Sequence, residues 1–259
     1  MSSPPPLVLT FAGADPTGGA GLQADALTLA SMGCHPLSVL TAVTVQDSHG
    51  VARCDPVQAA SVRAQARALL DDMQVAAFKL GILGSSDNVR AVAEILAAYR
   101  EVPVVLDPVL ASGRGDALAD DAAIALLAEL IVPQSTVATP NTLEARRLGG
   151  AQALLDAGCE YVLITGTHAA GEEVVNTLYD RAGVVREDRW PRLPGVYHGS
   201  GCTLASAIAA ALAHGRSVPQ AVRDAQEFTW QSLAAGFRAG GGQLIPDRFF
   251  WSRETEEPE

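Results

Sequence analysis

The segment YHGSGCTLASAIAAALAHG, residues 197–215, sets two glycines and a serine in front of Cys202, which opens an alanine-rich helical run stopping at Gly215. Small residues at a helix start leave backbone amides open to an anion, with the helix dipole behind them. Gly199, Ser200 and Gly201 would then bind a γ-phosphate or steady a phosphoryl group in transfer. The same dipole is expected to lower the pKa of the Cys202 thiol, making it a base or hydrogen-bonding group for an attacking hydroxyl. The plain alternative is a cysteine packed at a tight turn. Three small loop residues and His198 beside it favour the chemical reading.

Other polar residues stand where apolar strand runs end. TPNTLEA closes one run with Asn141 and puts Glu144 three residues on, in the first turn of a helix. A carboxylate there can hold magnesium through water. Equally, Asn141 and Glu144 can form a capping box. Asp107, at the end of VVLD and before Pro108, is a second carboxylate at such an edge. Gln46 ends another run, where its amide offers a paired donor and acceptor to a bound ligand. Lys79 lies inside an apolar strand run, where its charge needs a partner, whether a buried carboxylate or a ligand. Asp25 falls within a helix, a position that more often faces solvent. His49 and His168 read as solvated loop histidines.

Several chemistries are excluded by the same loops. GAGLQA, residues 19–24, satisfies a dinucleotide fingerprint, but ADPTG separates it from its strand and no carboxylate closes the second strand. Neither glycine-rich loop supplies the lysine of a phosphate-binding P-loop. HGSGC is no nucleophile elbow, because His198 holds the first glycine position.

The elements that must position these residues alternate. LVLTFAG, LSVLTAVTVQ, AAFKLGIL, VPVVLDPVL, STVATPN and EYVLITG read as strands. Leu22, Leu27 and Leu29 mark a helix ending at Gly33, and a second helix has Pro56 near its start. VVNTLYD and GVVREDRW flank a turn as a hairpin added late. The alternation predicts an α/β domain with right-handed crossovers and a mostly parallel central sheet flanked by helices on both faces. Its functional residues should gather at the carboxyl ends of the strands. The domain is expected over residues 7–250, between a loosely held N-terminus (1–6) and an acidic tail (251–259).

Composition agrees. The chain has 259 residues, 48% hydrophobic and only 5% aromatic, enough for one large core. A formal charge of −11 without a basic stripe argues against a nucleic-acid partner. Any bound phosphates must be neutralised by helix N-termini, backbone amides and a metal. Cys34, Cys54, Cys159 and Cys202 form no CxxC pair, so zinc-ribbon and disulfide-framework readings fail. No apolar run long enough for a membrane span and no signal segment is seen, so a soluble, cytoplasmic protein is expected.

Taken together and in order, AGADPTGGAGLQAD, TAVTVQDSHGV, KLGIL, LDPVL, TPNTLEA and HGSGCTLASAIAA closely resemble the hydroxymethylpyrimidine and phosphomethylpyrimidine kinases of thiamine biosynthesis, in the ribokinase-like superfamily. The resemblance runs from about Leu7 to Gly215. It implies an ATP- and magnesium-dependent kinase that phosphorylates 4-amino-5-hydroxymethyl-2-methylpyrimidine and then its monophosphate. Cys202 would be the catalytic residue of an anion hole shaped by Gly199, Ser200 and Gly201. Gly13, Asp25, Gln46, Ile82 and Val109 would surround the pyrimidine. Asn141, Thr165 and Gly166 would face the nucleotide, with Asp107 and Glu144 near the metal. A homodimer is implied as well.

Two places depart from the family pattern. Many relatives have Lys-Gly-Gly-His where this chain reads Thr165-Gly166-Thr167-His168, so a cation that could contact ATP phosphates is absent. The crossover over residues 145–160 is shorter than usual. Pyridoxal kinase of the same superfamily is the nearest alternative activity, since pyridoxal also carries a hydroxymethyl group on a heteroaromatic ring. A vitamer-binding protein without turnover is the non-enzymatic one.

Overall fold

Strands that bury both faces read as mostly apolar runs, and the central parallel strands follow this, with Thr10 and Lys79 as buried polar exceptions. A computed structural model of the chain describes residues 4–110, 121–167 and 171–253. Its elements in chain order are β1 (Leu7–Ala14), α1 (Gly21–Ser31), β2 (His35–Gln46), β3 (Val51–Pro56), α2 (Ala59–Leu70), β4 (Val75–Leu80), α3 (Ser86–Ala97) and β5 (Val104–Leu106). There follow α4 (Asp121–Leu126), β6 (Val137–Ala138), α5 (Thr142–Arg147), α6 (Gly150–Asp156), β7 (Tyr161–Ile164), β8 (Glu173–Asp180), β9 (Gly183–Pro191), α7 (Ser200–Ala213) and α8 (Val218–Ala234). His168 and the final residues of the expected acidic tail lie outside the described residues.

The sheet has nine strands in the order β3-β2-β1-β4-β5-β6-β7-β8-β9. The six from β2 to β7 are parallel, and β3, β8 and β9 are antiparallel to their neighbours. Alternate residues of each central strand serve opposite faces. Leu9, Phe11, Phe78, Leu80 and Leu106 pack with α2, α3 and α6 on one side. Val8, Ala77, Val105 and Val137 pack with α1, α7 and α8 on the other. Alanines dominate α7, which is buried along nearly its whole length. Their short side chains let the helix lie close to the sheet and to α8, carrying Cys202 at its mouth down to the strand ends.

The expected sheet and late hairpin are present, with local corrections. STVATPN yields only the two residues of β6, although Thr139 N still bonds the Leu106 carbonyl and the Pro140 carbonyl accepts from Thr165 N. Pro56 does not start a helix; it ends β3, which sequence patterning had not separated, and α2 begins three residues later. Of the leucines that marked α1, Leu29 is fully buried whereas Leu27 faces outward. No helix among the described residues is long and apolar enough to cross a membrane.

Candidate active site

Because the central strands run parallel, their carboxyl ends open on one edge of the sheet, where a cavity of about 820 Å³ is lined by residues of β1, β2 and β4 and by Asp107, Thr139 and Thr165 just past the ends of β5, β6 and β7. Gly13, Gln46, Ile82, Asp107, Val109, Asn141, Glu144, Thr165, Gly199, Ser200, Gly201 and Cys202 all reach its wall. Twelve of the fourteen residues singled out in the sequence therefore converge, with Asp25 and Gly166 set behind the wall.

Two helix N-termini, those of α1 and α7, meet at Cys202. Gly199, with φ of 79°, makes the turn into α7, and a Cβ there would lie 1.9 Å from the Gly19 carbonyl oxygen. Only glycine allows the two glycine-rich loops to touch in this way. Asp15 ties the same loops by hydrogen bonds. Its carboxylate accepts from Thr17 N and Oγ1, from Ala20 N, and faces His198 Nε2 at 2.8 Å. Burial pushes against the Asp15 charge, but these bonds hold its carboxyl below the usual range. Arg248, only 2% exposed, donates to the Gly19 carbonyl at 2.6 Å and to Thr203 Oγ1 at 3.1 Å.

Cys202 does not behave as a helix dipole alone would dictate. Burial pushes the thiol up to about 12, with Asp107 and Asp25 adding to the rise while Lys79 and the Gly21 N–H oppose it. The expected acidic thiolate is thus replaced by a proton-bearing thiol: desolvation and two carboxylates outweigh the dipole. Asp107, beside it, is raised to about 6 by burial, with the Lys79 charge and a hydrogen bond to Cys202 working against the rise. One Asp107 oxygen, Oδ2, has no hydrogen-bond partner. Gly201 lies alongside: a Cβ there would stand 3.7 Å from that oxygen.

Asp25 requires a correction. It is fully buried rather than at the cavity wall, and both its oxygens take the Lys79 ammonium, at 2.8 and 3.0 Å. Ser206 Oγ donates to the same carboxylate at 2.8 Å. The pair resolves the charge of Lys79 in favour of an internal partner, and Asp25 with Cys202 and Asp107 holds that ammonium's pKa above its ordinary value despite burial. Lys79 itself lines the cavity, whereas Asp25, which fixes it, does not.

Asn141 and Glu144 form the capping box that the sequence left open. Asn141 Oδ1 accepts from Leu143 N and Glu144 N, and Glu144 Oε2 accepts from Asn141 N at 2.9 Å. Glu144 also reaches the cavity, and burial together with Asp107 raises it to about 8. Capping and site chemistry coexist in one residue. Gly166 sits against β8, where a Cβ would lie 2.2 Å from the Val175 carbonyl oxygen, and its N–H donates to Asn176 Oδ1.

Among the described residues no cluster of three or more histidine, cysteine or acidic side chains could hold a metal by itself. Asp107 nevertheless offers an unpartnered buried oxygen, and Glu144 a second carboxylate whose charge is disfavoured. That donor set suits a hard cation completed by water and phosphate oxygens, as magnesium is in phosphoryl-transfer sites.

Sequence reasoning passed over Asp15, which stood inside a quoted motif without a role, and Arg248, which lies beyond the stretch from Leu7 to Gly215 that carries the resemblance. Nothing in local patterning pairs Arg248 with a loop 229 residues upstream.

An anion hole at paired helix ends, carboxylates at the strand edge and this sheet order define a phosphotransferase of the ribokinase-like fold. The chain belongs to the phosphomethylpyrimidine kinase family, whose model matches residues 15–247. It is 45% identical over 254 residues to the hydroxymethylpyrimidine/phosphomethylpyrimidine kinase of Streptomyces coelicolor, covering 92% of each chain. Among solved structures it is similar to phosphomethylpyrimidine kinase of Clostridium difficile, with TM-score 0.77 and 30% identity over 88% of this chain and 99% of that one. The pyridoxal kinase of Staphylococcus aureus, solved with pyridoxal and with ADP, gives TM-score 0.87 and 26% identity over 96% of this chain and 95% of that one.

Proposed function

We propose that the chain phosphorylates the hydroxymethyl group of 4-amino-5-hydroxymethyl-2-methylpyrimidine with ATP and magnesium, and then phosphorylates the monophosphate to the pyrophosphate. The observation that carries this reading is the placement of Cys202 between the α7 amides and Asp107, beside a pocket edged by Gly13, Gln46, Ile82 and Val109. Gln46 donates one amide hydrogen to Thr44 Oγ1, which leaves its carbonyl oxygen for a ring amino group. The apolar edge of Ile82 and Val109 suits the flat faces of the ring.

Phosphoryl transfer has a loose transition state, so the attacking hydroxyl keeps its proton until late. A protonated Cys202 fits that timing. Its sulfur accepts the substrate O–H while its own hydrogen points to Asp107; as the oxygen bonds to phosphorus, its proton passes to sulfur and the thiol proton to Asp107. The Ser200 and Gly201 amides hold the phosphoryl oxygens. Magnesium, held by Asp107 and Glu144 with water, would neutralise charge on the phosphate chain. Thr165 and Asn141 would bond the nucleotide phosphates in place of a lysine.

A cytoplasmic setting and a homodimer belong to the same proposal. Val43 and Val45, which alternate onto one exposed face of β2, support the dimer. The likeness to pyridoxal kinase favours pyridoxal as a second substrate. A mass-resolved assay with ATP and magnesium, offering the pyrimidine alcohol, its monophosphate and pyridoxal in parallel, tests all readings. Mono- and diphosphorylated pyrimidine is the expected result. Pyridoxal phosphate as the sole product moves the chain to that class, and pyrimidine binding without transfer makes it a vitamer-binding protein.

A further inference from the structure

Arg248 is almost completely buried, yet among the described residues no carboxylate lies within ion-pair distance of its guanidinium. Its nearest acid in sequence, Asp247, is engaged by Arg253 and by Phe249 N. Asp15 is satisfied by Thr17, Ala20 and His198, and Asp25 by Lys79 and Ser206. A buried cation bonded only to neutral oxygens is costly to keep unless its geometry or its charge is used.

The geometry shows where it is used. Nη2 donates to the carbonyl of Gly19, and that oxygen is the atom against which Gly199 packs. Nε donates to Thr203 Oγ1, whose own hydrogen goes to the Gly199 carbonyl at 2.9 Å. Thr203 N bonds that same carbonyl, also at 2.9 Å. One planar fork therefore bridges the two loops, holding the Gly19 carbonyl directly and the Gly199 carbonyl through Thr203. With Gly199 O held toward Thr203, the amides that follow, those of Ser200 and Gly201, face the phosphoryl group. The segment is itself anchored, since Ser31 Oγ donates to the Arg248 carbonyl. Arg248 does not line the cavity.

We infer that Arg248 is a positioning residue of the anion hole: from behind the wall its fork sets the Gly199 turn, while its charge is balanced at longer range by Asp25, Asp15 and Asp247. This rests on the kinase reading above.

The test compares wild-type enzyme with Arg248→Met, Arg248→Lys and Thr203→Val for kcat per folded molecule, pyrimidine Kd, and binding of inorganic phosphate in a 31P NMR titration. Misplacing reacting groups by about an ångström costs on the order of 100-fold, so Arg248→Met should lower kcat by that much while pyrimidine Kd stays as in wild type. Arg248→Lys keeps the charge but loses the fork and should fall less. Thr203→Val, which removes one hydroxyl and leaves the arginine, should cost about tenfold and guards against failure of the first variant to fold. Phosphate binding should weaken in Arg248→Met whether or not the wild type turns over. Unchanged kcat, or kcat and pyrimidine affinity lost in parallel, overturns the inference. A wild type without turnover instead defeats the kinase reading, and unchanged phosphate binding in Arg248→Met would then overturn the role of Arg248 on its own.

Discussion

The two ends of the cavity are built by different means. Around Cys202, backbone meets backbone: a Cβ on Gly21 would stand 2.3 Å from the Gly13 carbonyl oxygen and one on Gly199 still closer to that of Gly19. Buried charges, Asp15, Lys79 and Arg248, lock that contact. Around Thr165 and Gly166, side-chain amides do the work. Asn176 accepts from Gly166 N and donates to Gln226 Oε1, which also takes the Trp190 indole N–H, while Gln226 Nε2 reaches Asp188. The first end cannot change without moving main chain. The second can exchange side chains, which is where this sequence departs from the family pattern.

The sharpest way to break this contrast is Cys202→Ala. General acid–base groups contribute roughly 10² to 10⁴ in rate, so turnover should fall by that order while pyrimidine Kd, read by calorimetry, is retained. Wild-type turnover would reduce Cys202 to packing. Next comes Lys79→Met, which strands Asp25 as a buried unpaired charge. Losing one partner of such a pair costs about 3–5 kcal/mol, measurable in urea unfolding, and Asp25→Asn in the same chain should restore part of it. A loss below about 1 kcal/mol would show that Ser206 alone suffices for Asp25.

At the adaptable end, Thr165→Lys should lower KM for ATP by roughly fivefold, about 1 kcal/mol, with little change in kcat. If kcat moves instead, this end is as tightly coupled to chemistry as the other. The last test is a pH slope. Glu144 sits at about 8 in the folded protein against an ordinary 4.5, so the folded state holds the proton more tightly than the unfolded chain. The stability this brings is full below about 4.5 and is lost as pH rises toward 8. Unfolding of the ligand-free protein should become easier across that window. Glu144→Gln, which keeps the capping box, should flatten the slope; an unaltered slope would place the titration elsewhere.

Much of this was legible because strand ends and glycine loops announce themselves. Apolar runs closed by Gln46, Asp107 and Asn141 pointed to residues that line the cavity, and GSGC to the helix mouth that opens on it. What stayed hidden depended on contacts across the chain. Asp25 looks like a surface helix residue until Lys79, on a strand 54 residues later, is folded beneath it. The Cys202 thiol looks acidic until Asp107 and Asp25 stand near it and water is removed. Arg248 carries no local pattern at all, since its partners are main-chain oxygens, which every residue possesses.

The strands at the two margins of the sheet carry a separate consequence. β9 presents Arg186, Glu187, Asp188 and Arg189 in succession, and β3 runs Arg53, Cys54, Asp55 and ends at Pro56. A free sheet margin invites another chain to add itself, and alternating charges or a proline make that addition unfavourable. Between these two margins lie strands apolar enough to aggregate if exposed. The polar borders therefore act as guards against misassembly, letting a chain with so oily a centre remain dispersed while it folds.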